Sequence, residues 1–314
     1  MSKLGRKRHI PEYFELRNKE FLPIVVKGAN LPIPITHEME VASAQVKSAI
    51  LLAGLNTPGI TTVIEKEKTR DHTETLLKYY GYEISQEERN NKNFISLEGQ
   101  KFLSPVNIKV PGDPSSAAYP VVAGLICKNS NIKIKNVLLN PTRDGLYRCL
   151  DEMGAKITYS NKKNEAGEIT YDLEVKSSSL KPIDVPAERA PSMIDDYPIL
   201  AVAASLTNGI SIFRGLSELK VKESDRLLGI YNFLSKNGIE AKIDSNNLII
   251  NGSSGGPKGG GLVETNLDHR IAMSSIILGM VSDESIKIDD IETIKTSFPN
   301  FIELMKKLGA RISV

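Results

Sequence analysis

The 314-residue chain is poor in cysteine and histidine and has almost no excess of either charge. Each shortage removes a class of function. Cys127 and Cys149 make no CxxC pair and no disulfide framework, so both read as core thiols in apolar helical patterns, suited to a reducing cytoplasm. No second histidine stands at ligand spacing from His269, which therefore reads as a structural hydrogen-bonder, and no metal is expected. Lys plus Arg at 40 against Asp plus Glu at 38 is too balanced for a protein that binds nucleic acid by neutralising phosphates. The short basic cluster Lys3, Arg6, Lys7 and Arg8 reads as a solvated start. The longest apolar run, around Tyr197 to Leu206, is too short to span a bilayer, and no signal-peptide core follows the first residues. Gly255 to Gly261 lacks the Gly-Lys-Ser/Thr of a phosphate loop and reads as a turn. What is left is an ordinary globular composition, 40% apolar and 25% charged, long enough for two domains.

The positive content begins with a repeat. Four helices are expected to end in a left-handed glycine followed closely by isoleucine, at Gly81, Gly154, Gly238 and Gly309. The intervals are 73, 84 and 71 residues by subtraction, regular enough to read the chain as internal repeats. One unit runs strand (Ile108 to Val110), small-residue helix (Ser115 to Ile126), strand (Asn131 to Ile134), helix (Asp144 to Met153) and two more strands (Lys156 to Tyr159, Tyr171 to Val175). A second copy runs from Ile183 to Ile250. The third runs from Leu262 through a helix at Arg270 to Leu278, a strand at Ile286 to Ile288 and a helix at Pro299 to Leu308, short by its last strand. An earlier copy spans Ile33 to Leu97, and Met1 to Gly28 has the shape of the tail of another. Pro105 and Pro111 suggest a domain joint.

The helix starts carry the chemistry. Glu218 to Leu227 (ELKVKESDRL) packs charge ahead of a helix whose apolar positions are Leu227, Leu228, Ile230, Tyr231 and Leu234, with Ser224 or Asp225 as cap. Two readings stand for this stretch: a solvated first turn with local ion pairs, or an anion site where Lys222 and Arg226 reinforce the positive helix end. Equivalent starts are Ser43-Ala44-Gln45, Ser115-Ser116, Asp195-Asp196, Asp268-His269-Arg270, Thr69-Arg70-Asp71, Thr142-Arg143-Asp144 and Thr296-Ser297. Ser115, Ser116, Thr142 and Asp144 read as plain caps. Asp195 is open to reading as a cap, and Asp268 to pairing with Arg270. Arg70, Arg226 and Arg270 sit unfavourably at positive helix ends unless an anion or carboxylate is near, so several helix N-termini facing one cleft would suit a multiply anionic small molecule. Nothing resembles a nucleophilic triad.

Ser43-Ala44-Gln45-Val46-Lys47-Ser48-Ala49, Pro111-Gly112-Asp113-Pro114-Ser115-Ser116, Ile194-Asp195-Asp196-Tyr197-Pro198, Val221-Lys222-Glu223-Ser224-Asp225-Arg226 and Asp268-His269-Arg270-Ile271-Ala272-Met273 together resemble the 5-enolpyruvylshikimate-3-phosphate synthase family, from about Leu22 onward. The Ser-Ala-Gln form, with Lys68 to Glu74, is similar to the glyphosate-tolerant bacterial subtype. The resemblance implies an α+β, two-domain enolpyruvyl transferase fold of repeated βαβαββ units, with a partial N-terminal domain at 1–104 and a three-unit C-terminal domain at 105–314. It implies a cytoplasmic step of the shikimate pathway, leading to chorismate and aromatic amino acids. In that step the 5-hydroxyl of shikimate 3-phosphate attacks phosphoenolpyruvate and phosphate leaves, with no metal or organic cofactor. It further implies shikimate 3-phosphate on Ser43, Gln45, Arg70, Asp195 and Lys222, and phosphoenolpyruvate on Gln45, Arg226 and Arg270. Asp195 is implied as the proton acceptor for the hydroxyl, and Glu223 as the group handling the methylene proton. No nucleic-acid or membrane partner is implied, and a full-length member is expected to be a monomer.

The family's first unit and the start of its second have no counterpart here, nor do the Lys-Ser and Arg of the first shikimate-binding loop, its Asn-Gly-Thr turn and a further phosphoenolpyruvate arginine. Thr296 stands where some members carry a lysine, with Lys295 adjacent. The expectation is therefore an incomplete member, inactive alone. Two alternatives accompany it: an enolpyruvyl transferase acting on UDP-N-acetylglucosamine, which usually carries a reactive cysteine in a mobile glycine-containing loop, and a non-catalytic remnant that binds anions or a partner chain.

Overall fold

The computed structural model describes residues 29–313 together with the short strands β1 (Arg8–His9) and β2 (Val25–Val26), which pair antiparallel. The expected tail of a further unit in Met1 to Gly28, including Lys3, Arg6 and Lys7, otherwise lies outside the described residues. The chain divides into two compact units, Met1–Ile108 and Lys109–Val314.

In the first unit β3 (Thr36–Glu38), α1 (Ala44–Leu55), β4 (Ile60–Glu65), α2 (His72–Tyr79), β5 (Ile84–Arg89) and β6 (Lys92–Glu98) follow one another. The sheet runs β3-β4-β6-β5, parallel between β3 and β4 and antiparallel elsewhere. Thr61, Val63 and Glu65 alternate inward along β4, the strand against which α1 packs. Polar residues on that inward face need partners, and Glu65 finds one in a lysine of α1.

The second unit holds three more copies. The first has α3 (Pro114–Ile126), β7 (Asn131–Leu138), α4 (Gly145–Glu152), β8 (Lys156–Glu165) and β9 (Glu168–Lys176), in a β7-β9-β8 sheet. The middle copy has β10 (Asp184–Val185), α5 (Tyr197–Ser205), β11 (Gly209–Phe213), α6 (Arg226–Lys236), β12 (Glu240–Asp244) and β13 (Asn247–Gly252). Its order, β10-β11-β13-β12, repeats the first unit's sheet strand for strand, parallel and then antiparallel. The last copy has β14 (Leu262–Val263), α7 (His269–Gly279), β15 (Lys287–Ile288) and α8 (Phe301–Lys307). All four expected helix-ending glycines are left-handed, with φ of +79° at Gly81, +85° at Gly154, +81° at Gly238 and +102° at Gly309.

One expected strand is not formed. Ile108 to Val110 has no ladder partner, and pairing begins only at Gly112, which bridges Val137 through Gly112 N to Asn136 O at 2.7 Å and Leu138 N to Gly112 O at 2.9 Å. The next donor such a ladder would need, Asn136 N, is turned instead to Asp172 Oδ1 at 2.9 Å where β7 shifts register between Ile134 and Val137, so the ladder does not extend back to Val110.

Helices α3, α5 and α7 touch one another pairwise and form the centre of the second unit's core. Every residue of α5 is buried, as are the residues of α7 from Ile271 to Leu278. A helix apolar on all sides is stable only when enclosed, so the small-residue composition (YPILAVAAS) dictates this placement. The polar residues at the starts of these helices are thereby drawn together at one end of the core.

Candidate active site

Arg226 is the first residue of α6, and its side chain has no exposed surface. Asp225 caps the helix, accepting from Leu228 N at 3.0 Å, while Ser224 turns away to donate to Asp268 at 3.0 Å. A buried guanidinium must be paired. Nε donates to Asp268 Oδ2 at 2.9 Å, Nη1 to Asp195 Oδ1 at 3.1 Å, and Nη2 to the Glu223 carboxylate. Asp195 Oδ1 also lies 3.8 Å from Lys222 Nζ, which donates to Glu218 at 2.5 Å. From α7, Arg270 Nη1 donates to the Asp195 carbonyl at 3.1 Å and approaches Asp196 Oδ1 at 3.4 Å. Asp195, Lys222, Glu223, Arg226 and Arg270 therefore form one cluster at helix N-termini, where unpaired N–H groups also favour anions.

Two expectations about this cluster change. Asp195 does not cap α5, because Asp196 occupies the N-cap position and Asp195 stands one residue before it. Asp268 pairs with the side chain of Arg226 and not with that of Arg270. It does cap α7, accepting from Arg270 N at 2.9 Å and Ile271 N at 3.4 Å, and an acceptor turned onto that first turn faces away from the Arg270 side chain.

The electrostatics follow from burial and pairing. Burial opposes ionisation of Asp268, but Arg226 beside it holds the carboxyl below the ordinary carboxylate range. Burial pushes Asp196 up, with Arg270 and a hydrogen bond from Ser115 opposing. Burial, followed by the positive charge of Arg270, lowers His269. Arg270 itself is held protonated above its usual range: burial opposes the charge, and Tyr119, Asp196 and Asp195 around it outweigh burial. Among the described residues no group of three or more His, Cys, Asp or Glu is placed to hold a metal ion.

In the first unit Ser43 caps α1, accepting from Val46 N at 3.3 Å, and its hydroxyl donates to Gln45 Oε1 at 3.3 Å. Arg70 follows the buried Thr69, whose amide donates to Glu65 Oε1 at 3.2 Å and whose hydroxyl donates to the same oxygen. Lys47, buried one turn into α1, lies 3.0 Å from Glu65 and 2.7 Å from Glu74. Sequence reasoning missed this triad. The one charged residue in the largely apolar stretch AQVKSAILLAGL was the available signal. Lys295 is taken up by Glu292 at 2.6 Å. Cys149 is buried and Cys127 ends α3, so neither stands in a glycine-containing loop beside the cluster.

Repeated two-helix units with a lysine, arginine and carboxylate cluster at the inner helix ends define an enolpyruvyl transferase fold. Residues 14–305 match the family described as EPSP synthase (3-phosphoshikimate 1-carboxyvinyltransferase), and the chain belongs to that family. The 3-phosphoshikimate 1-carboxyvinyltransferase of Bradyrhizobium diazoefficiens is 50% identical over 93% of this chain and 62% of its own length. That of Paramagnetospirillum magneticum is 51% identical over 96% of the chain and 68% of its own length. The chain thus spans about two thirds of the length of the curated relatives it matches. The crystal structure of EPSP synthase from Acinetobacter baumannii superposes with a TM-score of 0.85 at 37% identity, covering 99% of this chain and 69% of that one. NikO, an enolpyruvyl transferase from Streptomyces tendae, shares the fold at TM-score 0.73 and 17% identity, covering the whole of this chain and 70% of its own.

Proposed function

We propose that the chain is an incomplete 3-phosphoshikimate 1-carboxyvinyltransferase, the enzyme that transfers the enolpyruvyl group of phosphoenolpyruvate to the 5-hydroxyl of shikimate 3-phosphate. Its domains are taken as 1–104, a partial N-terminal domain, and 105–314, the three-unit domain. The observation that carries the reading is Arg226 held on three sides by Asp268, Asp195 and Glu223, with Lys222 and Arg270 alongside. Arg226 and Arg270 are suited to the phosphate and carboxylate of phosphoenolpyruvate, because a planar guanidinium can bind two oxygens at once. Ser43, Gln45 and Arg70 are assigned to shikimate 3-phosphate, the first and last to its phosphate, with Gln45 also assigned to phosphoenolpyruvate. Lys222 and Asp195 are assigned to the ring.

The reaction needs a base and an acid in one cleft. Asp195 accepts the proton of the 5-hydroxyl as its oxygen bonds to C2 of phosphoenolpyruvate, and Glu223 delivers a proton to the C3 methylene. When the C2–O bond to phosphate breaks, Glu223 removes a proton from the new methyl group, restoring the enol ether and releasing inorganic phosphate. Glu223 is the most exposed carboxylate of the set, so it can exchange that proton with solvent. The substrates and the free thiols fit a cytoplasmic setting, and the full-length protein is taken to act as a monomer.

The test is phosphate release from shikimate 3-phosphate and phosphoenolpyruvate by this chain extended to the length of its relatives. Asp195→Asn should lower turnover by roughly two to four decades with ligand affinity held within about tenfold, since the base is lost and the hydrogen-bonding shape kept. Full turnover in that variant contradicts the assignment. Binding of UDP-N-acetylglucosamine in place of shikimate 3-phosphate contradicts the substrate.

A further inference from the structure

Asp196 occupies the N-cap of α5 yet makes no capping hydrogen bond, although aspartate is among the best residues for that task. Its side chain is 6% exposed and turned instead toward its neighbours. Oδ1 lies 3.4 Å from Arg270 Nη1, and the Ser115 hydroxyl beside it favours the ionised carboxylate, opposing the burial that pushes Asp196 up. The Ser115 hydroxyl accepts from Arg143 Nη2 at 2.9 Å, so its own proton remains available to the neighbouring carboxylate. Arg143 Nη2 also donates to Asp113 Oδ1 at 2.7 Å, and the other oxygen of Asp113 accepts from Ser116 N at 2.8 Å at the start of α3. Asp113, Arg143 and Ser115 are thus bonded in series beside the Asp196–Arg270 pair. Together these residues gather the starts of α3, α5 and α7 at the end of the core that bears the candidate site.

We propose that Asp196, backed by Ser115 and Arg143, is a positioning residue that fixes the guanidinium of Arg270 for an anionic substrate. The inference rests on the reading of Arg270 as a phosphoenolpyruvate ligand. Asp196 does not touch the substrate in this account; it acts through Arg270. The Asp195 carbonyl and the Asp196 carboxylate both engage Nη1, so one edge of the planar fork is held by protein and the remaining N–H groups are presented as a set. A buried Asp carboxylate beside an anion site has an obvious cost, because its charge repels the ligand. Orientation and repulsion therefore predict opposite signs when Asp196 is removed, and that difference makes the inference testable.

The experiment titrates phosphoenolpyruvate onto this chain by calorimetry, comparing the native protein with Arg270→Ala, Asp196→Ala, Asp196→Asn and Ser115→Ala. Arg270→Ala should weaken binding by at least about tenfold, the scale of one charge-assisted hydrogen bond. Asp196→Ala should weaken it by a similar factor, and Asp196→Asn should recover most of the loss, because the amide oxygen still accepts from Arg270 without the charge. If Asp196→Ala does not fold, as read by near-UV circular dichroism, Ser115→Ala decides: weaker binding supports the inference and unchanged binding overturns it. Tighter or unchanged binding in Asp196→Ala, with Arg270→Ala still weakened, overturns the positioning role and leaves the proposed function intact. Failure of the native chain to bind phosphoenolpyruvate, or binding indifferent to Arg270→Ala, overturns the functional reading and the inference with it.

Discussion

Arg226 and Asp268, 42 residues apart in the chain, meet at 2.9 Å with no exposed surface on either side chain. The pair locks the start of α6 to the start of α7, since Asp268 simultaneously caps α7. Removing one member of a buried pair leaves the other charge desolvated, which typically costs about 3–5 kcal/mol. Asp268→Ala should therefore lower unfolding stability by about that much in urea titrations at neutral pH. A loss under about 1 kcal/mol would mean that Asp195 and Glu223 alone satisfy Arg226.

The same pair sets a pH dependence. Arg226 holds the Asp268 carboxyl below its unfolded value, so its contribution is fully present above the unfolded carboxylate pKa and is lost as pH falls through the lower folded one. Acidification from pH 5 downward should destabilise the native chain, and Asp268→Asn should flatten part of that slope. Parallel slopes in the two proteins would remove Asp268 from the account.

Lys47 faces two buried carboxylates, Glu65 and Glu74, and burial pushes the Glu74 carboxyl upward, with Lys47 opposing. A raised carboxyl contributes stability that is present below its unfolded pKa and is lost as pH rises through the folded value. Glu74→Gln should accordingly cost little at neutral pH, within about 1 kcal/mol, and should remove a decline seen in the native chain as pH rises above the ordinary carboxylate range. Lys47→Met should be much worse, leaving Glu65 and Glu74 without a counter-charge. Amide hydrogen exchange in residues 36–98 reads both effects.

Gly252 ends β13 against the turn that follows α5. A β-carbon there would stand 2.4 Å from the Ala204 carbonyl oxygen and 2.6 Å from that of Thr207. Gly99 in the first unit meets the Gly54 and Thr57 carbonyls in the same way. Backbone cannot yield as a side chain tip can, so Gly252→Ala should destabilise by about 1–3 kcal/mol or more. A melting temperature equal to that of the native chain would show that the turn relaxes freely.

The repeat and the helix starts were legible because their signals are local. Left-handed glycines, caps and apolar spacing are read within a few residues of one another, and the four glycines and the charged start of α6 appear where those signals put them. Partner choice was not local. Asp268 has Arg270 two residues away and Arg226 far off in the chain, and only the packing of α6 beside α7 decides between them. Nothing near Lys47 in the chain announces its partners, since Glu65 and Glu74 are brought against it only by packing. The strand expected at Ile108 to Val110 failed for a reason that was not local either, the shift of register in its partner β7 that turns Asn136 N to Asp172.

Calorimetric titration of phosphoenolpyruvate onto the native chain and Arg226→Lys tests the central claim most directly. The substitution keeps the charge and removes the planar fork, so its fold-change reports the guanidinium itself. Binding should be measurable for the native chain and weaker by roughly tenfold in the variant, one charge-assisted contact on the affinity scale. Equal affinity in the two proteins would contradict the assignment of this cluster to the substrate.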